Sequence, residues 1–291
     1  MKLPPFDYFA PQSVDELLSL LAEHGGDAKV LAGGQSLVPL LALRLARPAA
    51  VVDLQRVPGL AEIAQPNGTL AVGAMTREAT VERSPAIRQH VPLLADAAPL
   101  IGHPAIRTRG TVGGTIAHAD PAAETPAVAL ALDAEIVAHS SARGERIIPA
   151  AEFFQGFLTT ALDEDEAITH VLFPVARPRT GACFDEVARR HGDFAIVGVA
   201  AQLHLDAAGR IDDARIVLSG VSDAPLRRTE AERAITGASP TSDTFDAAAD
   251  AAADGLAPPA DLHGTSAYRI HVARMLVRRA LDKAAQRAEA A

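Results

Sequence analysis

Apolar positions recur at helical spacing through Leu17, Leu18 and Leu21, directly behind Ser13-Val14-Asp15-Glu16. That tetrad is a capping box, in which a hydroxyl and a carboxylate three residues apart take up orphan backbone N–H groups at a helix start. Gly25-Gly26 ends the pattern, so residues 13–24 are expected to form an amphipathic helix. Lys29-Val30-Leu31-Ala32 then reads as a short buried strand running into Gly33-Gly34, and Ala50-Val51-Val52-Asp53-Leu54 reads as a second. Residues 1–56 thus read as one small α/β unit, with a helix start expected near Leu37.

Beyond Val57 the pattern predicts a strand over 70–74, a helix over 76–83 and an apolar helical stretch over 91–101. A glycine-rich segment follows at 110–114. A helix near 127–132 and strands near 134–139 and 168–173 lead to Pro174-Val175-Ala176-Arg177-Pro178-Arg179-Thr180-Gly181, a break that closes a second unit over 57–177. The third unit, 178–291, opens as a hairpin, because apolar runs over 196–205 and 214–218 flank the turn Asp206-Ala207-Ala208-Gly209-Arg210. Three helical patterns end the chain. In the last, Ile270, Ala273, Val277, Ala280, Leu281 and Ala284 share one face, while His271, Arg274, Arg278 and Asp282 share another, read as a solvated face or one that meets an acidic partner. No repeat of solenoid period is visible.

Composition narrows the function classes. The 291 residues, 48% hydrophobic and 22% charged, suit an ordinary globular chain of two or three domains. With 27 basic against 36 acidic side chains the formal charge is −9, a field that opposes nucleic acid as a partner. The single cysteine, Cys183, excludes an internal disulfide, a cysteine-based zinc site and an iron–sulfur cluster of four thiolates. Any such cluster belongs to another chain. No apolar run suits a signal peptide or a membrane span, and the expected location is the cytoplasm.

Two segments carry candidate chemistry. Ala32-Gly33-Gly34-Gln35-Ser36 lies between a strand and a helix start; adjacent glycines let consecutive N–H groups converge on an anion, and Ser36 can cap the helix. The same glycines would also serve a plain tight turn. Arg107-Thr108-Arg109-Gly110-Thr111-Val112-Gly113-Gly114-Thr115 repeats the pattern with two threonine hydroxyls. Two such loops suit a ligand with two phosphates, such as a dinucleotide, while neither has P-loop or Rossmann spacing.

Other constellations are read structurally. His118-Ala119-Asp120 offers two metal ligands at most and reads as a turn beside the second loop. Ser36 has no nucleophile-elbow sequence around it. His204, alternating with Leu203 and Leu205, reads as solvent-facing, and Cys183 as a buried, inert thiol. Glu124 is either a hydrogen-bond acceptor for a ribose or a charge in the first turn of a helix.

The chain resembles the FAD-binding medium subunit of the carbon monoxide dehydrogenase and xanthine dehydrogenase family, the molybdenum hydroxylases. The likeness runs end to end, on Ala32-Gly33-Gly34-Gln35-Ser36, on Ile106-Arg107 leading into Gly110-Thr111-Val112-Gly113-Gly114, on Asp120-Pro121-Ala122, and on the stretch 189–195. It implies an α+β fold: two α/β subdomains forming an FAD-binding region of the vanillyl-alcohol-oxidase-like, PCMH type, then a C-terminal antiparallel sheet with helices. It also implies that Ala32, Gly33, Gly34, Gln35 and Ser36, with Thr111, Val112, Gly113, Gly114 and Thr115, hold the FAD pyrophosphate and its neighbours. Glu124 matches an acidic position near the ribose; Ile101 and Ile168 match apolar positions lining the flavin. Thr108 and Thr115 stand where the family often has Asn or Ser, Gln35 where His is common, and 184–187 lacks a Lys that some members carry near the flavin.

The implied role is electron transfer: electrons from [2Fe-2S] clusters on a small partner subunit collect on FAD and pass to an external acceptor, while substrate is oxidised at a molybdopterin cofactor on a large subunit. A dimer of heterotrimers is the implied assembly. A stand-alone FAD oxidoreductase and a non-enzymatic nucleotide-binding protein are the alternatives.

Overall fold

The computed structural model describes residues 2–65 and 68–291. Its first layer is β1 (Asp7–Phe9), α1 (Val14–His24), β2 (Ala28–Leu31), α2 (Leu37–Ala42) and β3 (Ala50–Asp53), with a parallel sheet in the order β1-β3-β2. The Ser13 hydroxyl accepts from the Glu16 N–H at 3.1 Å, and Glu16 reaches one residue further out than expected, accepting from the Gln12 N–H at 2.7 Å. Leu17, Leu18 and Leu21 pack against Ala50 and Val52 of the central strand. β1 was not anticipated. Its three residues pair only with β3, and no local pattern marks a strand so short.

The second layer runs β4 (Ile63–Ala64), β5 (Thr69–Gly73), α3 (Glu78–Arg83), α4 (Pro85–His90), α5 (Pro92–Ala97), α6 (Pro104–Arg107), α7 (Val112–His118), α8 (Glu124–Ala131), β6 (Glu135–Ser140), β7 (Gly144–Pro149), α9 (Ala150–Phe153), β8 (Phe154–Gly156), β9 (Thr159–Thr160) and β10 (Glu166–Pro174). Its five-stranded antiparallel sheet has the order β4-β5-β10-β6-β7, and β8 pairs with β9. Two expected helices are shorter than their patterns. The stretch 91–101 is α5 followed by a 3-10 turn over Ala98–Leu100, because Pro99 cannot donate to an α ladder. The stretch 76–83 begins as helix only at Glu78, because Arg77 forms a bridge to Thr111. Helix α8 is buried on every side and carries the core shared with the third layer.

The third layer is the sheet β11 (Thr180–Ala188), β12 (Ala195–Leu205), β13 (Ile211–Ser219) and β14 (Leu226–Arg227), antiparallel in that order, then α10 (Thr229–Ile235), α11 (Ser242–Ala253) and α12 (Ser266–Ala290). The pleat sends alternate side chains to opposite faces. Ala182, Phe184, Ala200 and Val217 join the core around α8, whereas Cys183, Val199, Ala201 and Leu218 join the core under α12. On α12, Ala273, Val277, Ala280, Leu281 and Ala284 are buried as expected, with Val272 and Leu276 beside them and Ile270 half-buried. Its arginine face does meet acidic residues, from the same chain: Arg274 pairs with Asp250 and Arg278 with Asp246 of α11. The Cys183 thiol is buried, and burial pushes its pKa up to about 11, consistent with an inert group. His204 is not freely solvent-facing: its ring Nδ1 lies 3.0 Å from Asp212 and the side chain is largely covered. Among the described residues no helix is long and apolar enough to cross a membrane.

Candidate functional site

Strand β2 ends where Gly33 and Gly34 turn the chain into α2, with Gly34 in the left-handed region at φ 74°. A Cβ on Gly33 would lie 2.2 Å from the Arg109 carbonyl oxygen and 2.9 Å from the Gly110 Cα, so this position admits no side chain while the two loops stay in contact. Among the described residues, the N–H groups of Gly33, Gly34, Gln35 and Ser36 donate to no protein acceptor. Three of these residues, Gly33, Gly34 and Gln35, line a cavity of about 360 Å³, and consecutive free donors there make an open anion cradle. Ser36 does not play the expected capping part; its backbone is already helical and its hydroxyl makes no cap bond.

The second loop is built differently from the reading of two equivalent cradles. Its N–H groups are spent inside the fold: Val112 donates to Thr76 O (3.0 Å), Gly113 to Ala74 O (2.8 Å), Gly114 to Thr111 Oγ1 (3.2 Å) and Thr115 to Thr111 O (3.0 Å). Thr111 is the N-cap of α7, and the Thr115 hydroxyl donates to Glu78 Oε1 at 2.6 Å. Gly113 sits directly on Ala74, and the Cβ position of Gly114 lies 3.4 Å from the Ala32 Cβ. This loop is thus a packed wall against the first.

Side chains outside both motifs hold the loops together. Gln55 donates through Nε2 to Ala32 O at 2.7 Å and accepts from Arg77 at 2.6 Å, and Arg77 also donates to the Arg109 carbonyl. Asp53, Gln55 and Arg109 line the same cavity as Gly33 and Gln35. Sequence reasoning missed Gln55 and Arg77. A glutamine after a strand and an arginine before a helix carry no local signal, and only the fold brings them to the loops. The Ile-Arg pair has a structural explanation as well. Buried Arg107 pairs with Glu82 at 2.9 Å and donates to the carbonyls of Ile101 (3.1 Å) and Gly102 (2.9 Å), which fixes the segment carrying Ile101.

Three carboxyls, Glu78 on α3, Glu124 on α8 and Glu186 on β11, have no lysine or arginine bonded to any of them among the described residues. Glu78 and Glu124 are buried and Glu186 is half-buried. Burial pushes Glu78 up; burial, then the charge of Glu186, raises Glu124 to about 8; burial, then Asp185, raises Glu186 to about 7. Ile101 and Ile168 are both buried, on the segment after α5 and in β10. At the far end of α7, Asp120 accepts from the Ala122 N–H (2.9 Å) in the expected turn. Asp120, Pro121 and Ala122 there line a second cavity, of about 580 Å³, with Arg189, Gly192 and Phe194. These are the stretches that carried the resemblance without an assigned role. Gly192 abuts His103, so this cavity adjoins the Ile101 segment. Of the expected site residues, the structure brings the two loops into contact and places Ile101, Glu124 and Ile168 on elements around α7, not in the first cavity.

An open N–H cradle in a cavity shared with Arg109, with a second cavity one short helix away, has the donors and the room that an extended dianionic ligand needs, outside the Rossmann manner. Comparison with known proteins agrees. Residues 4–176 match the FAD binding domain in molybdopterin dehydrogenase, and residues 182–284 match the CO dehydrogenase flavoprotein C-terminal domain. The chain is 47% identical over 288 residues to the 6-hydroxypseudooxynicotine dehydrogenase complex subunit alpha of Paenarthrobacter nicotinovorans, covering 99% of this chain and 97% of that one. It superposes with TM-score 0.95 and 40% identity on a chain of carbon monoxide dehydrogenase from Hydrogenophaga pseudoflava, covering 99% of each. A chain of quinoline 2-oxidoreductase from Pseudomonas putida gives TM-score 0.94 at 40% identity, again covering 99% of each. The chain belongs to the FAD-binding subunits of the molybdenum hydroxylases, in the carbon monoxide and xanthine dehydrogenase family. It is an oxidoreductase subunit with FAD as its cofactor, and its relatives are subunits of multi-subunit dehydrogenase complexes.

Proposed function

We propose that this chain holds FAD along α7, with the pyrophosphate on the Gly33 to Ser36 cradle, and relays electrons between partner clusters and an external acceptor. The observation that carries this reading is the row of unpartnered N–H groups from Gly33 to Ser36, the first three of them on residues that line one cavity with Arg109. Backbone donors and one guanidinium suit a diphosphate in a chain of net charge −9, because they supply local positive potential without a basic surface. Ala32 and Gly34 to Ser36 shape the cradle; Thr111 to Thr115 set the wall that keeps Gly33 in place; Glu124 accepts from cofactor hydroxyls; Ile101 and Ile168 exclude water from the ring. FAD, when bound, supplies the exchange between one-electron and two-electron chemistry.

The reading extends to the assembly. Residues 1–56 and 57–177 form the two FAD-binding subdomains and 178–291 the medium-subunit domain. The partners are a large subunit with the molybdopterin cofactor and a small subunit with [2Fe-2S] clusters, in a cytoplasmic dimer of heterotrimers. Support comes from Cys183, a single buried thiol that cannot hold a cluster, so that metal chemistry falls to other chains. The test is to strip flavin from the purified complex with chaotropic salt. Substrate should still reduce the clusters, while electron delivery to an external acceptor stops and returns on adding FAD. Delivery that continues at full rate without flavin would overturn the assignment.

A further inference from the structure

The first cavity holds a carboxylate that a site for a diphosphate alone would exclude. Strands β2 and β3 are parallel neighbours, and their register sets Asp53 directly beside Leu31, two residues before Gly33. Asp53 lines the cavity together with Gly33, Gly34 and Gln35 of the cradle. Its protein partners among the described residues are uncharged: the Tyr8 hydroxyl donates to Oδ2 at 2.6 Å and the Gln55 N–H to Oδ1 at 2.9 Å. Arg77, near enough to sense its charge, is committed to Gln55 and to the Arg109 carbonyl. A carboxylate beside a bound anion is repulsive, unless it accepts hydrogen bonds that the ligand itself offers.

The carboxyl is fixed in place and keeps capacity to spare. Each of its oxygens accepts one protein bond and has a second lone pair, so two acceptor positions stay open. Beside them the lining is apolar. Leu31 Cδ1 and Val38 Cγ2 both lie 3.2 Å from the point that a Cβ on Gly34 would occupy, and Pro39 lines the same cavity. The topology gives this arrangement a meaning. The cradle stands at the end of β2, α2 follows, and Asp53 is the last residue of the adjacent parallel strand β3. In dinucleotide-binding βαβ units an acidic side chain at this place accepts from ribose hydroxyls, although the glycine spacing here is not theirs. An anion cradle, an apolar wall and a fixed pair of acceptors are together the chemistry that recognises a nucleoside phosphate.

We propose that Asp53, held by Tyr8, accepts the hydroxyls of the adenosine ribose of FAD, with the adenine against Leu31, Val38 and Pro39, and so selects the dinucleotide over flavin mononucleotide. The inference rests on the proposed FAD site. Ile101, Glu124 and Ile168 do not line the first cavity, so the flavin half runs from the cradle along α7 and leaves that cavity to the adenosine half. Glu124 then serves hydroxyls of the flavin half and Asp53 those of the ribose. Asp53 also sets an exclusion, because a phosphate on the adenosine ribose would bring a second anion against its carboxylate. Tyr8 is a positioning residue: it acts through Asp53, and paired strands β1 and β3 carry the two.

The test titrates the intact complex, stripped of flavin, with three ligands: FAD, flavin mononucleotide, and FAD whose adenosine ribose lacks both hydroxyls. Fluorescence gives each dissociation constant. The wild type should bind the dideoxy ligand about ten- to a hundredfold more weakly than FAD, the loss expected for hydrogen bonds to a charged acceptor. Asp53→Ala should bind FAD and the dideoxy ligand within about threefold of each other, with its affinity for flavin mononucleotide unchanged. Tyr8→Phe should discriminate less than the wild type, again with flavin mononucleotide unaffected, an outcome that a merely structural role would not give. Equal wild-type affinity for FAD and the dideoxy ligand overturns the inference, as does a loss of flavin mononucleotide binding in Asp53→Ala as large as the loss of FAD. Full discrimination in Tyr8→Phe overturns the part given to Tyr8. Should Asp53→Ala fail to assemble, Asp53→Asn, which keeps an oxygen for the Gln55 N–H, decides: reduced discrimination supports the inference and full discrimination overturns it. A wild-type complex that binds none of the three ligands would overturn the underlying FAD site instead.

Discussion

Gly33→Ala is the most direct perturbation of the loop contact, since it adds one methyl group where the backbone φ is not left-handed. The new Cβ would stand 2.2 Å from the Arg109 carbonyl oxygen, and real Cβ contacts stay beyond 3.0 Å, so the loops must part by at least about 0.8 Å. That movement stretches the 2.6 Å bond from Arg77 to Gln55, which ties the second layer to the first, toward the limit of a hydrogen bond. It also displaces the Gly33 and Gly34 N–H groups from a bound diphosphate. Hydrogen bonds to a charged acceptor contribute about 1.5–3 kcal/mol each, so losing two costs about 3–6 kcal/mol. That corresponds to a dissociation constant roughly two to four orders of magnitude weaker. Fluorescence titration of the flavin-free complex with FAD measures it, with thermal unfolding of the same sample as the control for folding. Affinity within about threefold of wild type would refute the cradle and the loop contact together, because the clash leaves no room for an unchanged site.

Further outcomes follow from other parts of the fold. Arg107→Met should destabilise the chain by about 3–5 kcal/mol in urea unfolding and loosen the Ile101 segment, since Glu82 and two carbonyls lose a buried partner. Asp96→Ala should cost about 1–3 kcal/mol, because the Phe184 N–H and Arg287 both lose their acceptor at the contact between the second and third layers. The pH profile has a definite sign. Glu78, Glu124 and Glu186 all have native pKa values above the ordinary 4.5, so the stability they contribute is complete below 4.5 and is lost as pH rises through about 7 and about 8. Glu124→Gln should flatten the alkaline end of the unfolding midpoint against pH, and an unaltered profile would show that Glu124 is not held neutral.

Much of this fold was legible in the sequence for physical reasons that particular residues display. The helix at Ser13 has its cap, its apolar stripe and its glycine stop within a dozen residues, and β12 and β13 flank a short turn, so local pattern suffices. β1 could not be read that way, because its only support is β3, far along the chain. The site divides along the same line. Both glycine loops are written in the chain, yet only the fold shows that the first keeps its N–H groups free while the second spends them on Thr76, Ala74 and Thr111. The Gln55–Arg77 link depends on tertiary placement, which no periodicity encodes.

The central claim is that this chain is the flavin carrier of a larger molybdenum hydroxylase. Co-expression with its partner subunits, followed by denaturation of the purified complex and chromatography of what is released, tests it directly. FAD should be recovered in a one-to-one ratio with this chain, and Gly33→Ala should lower that ratio while leaving the iron–sulfur content intact. A complex that assembles with its clusters but releases no FAD would contradict the account.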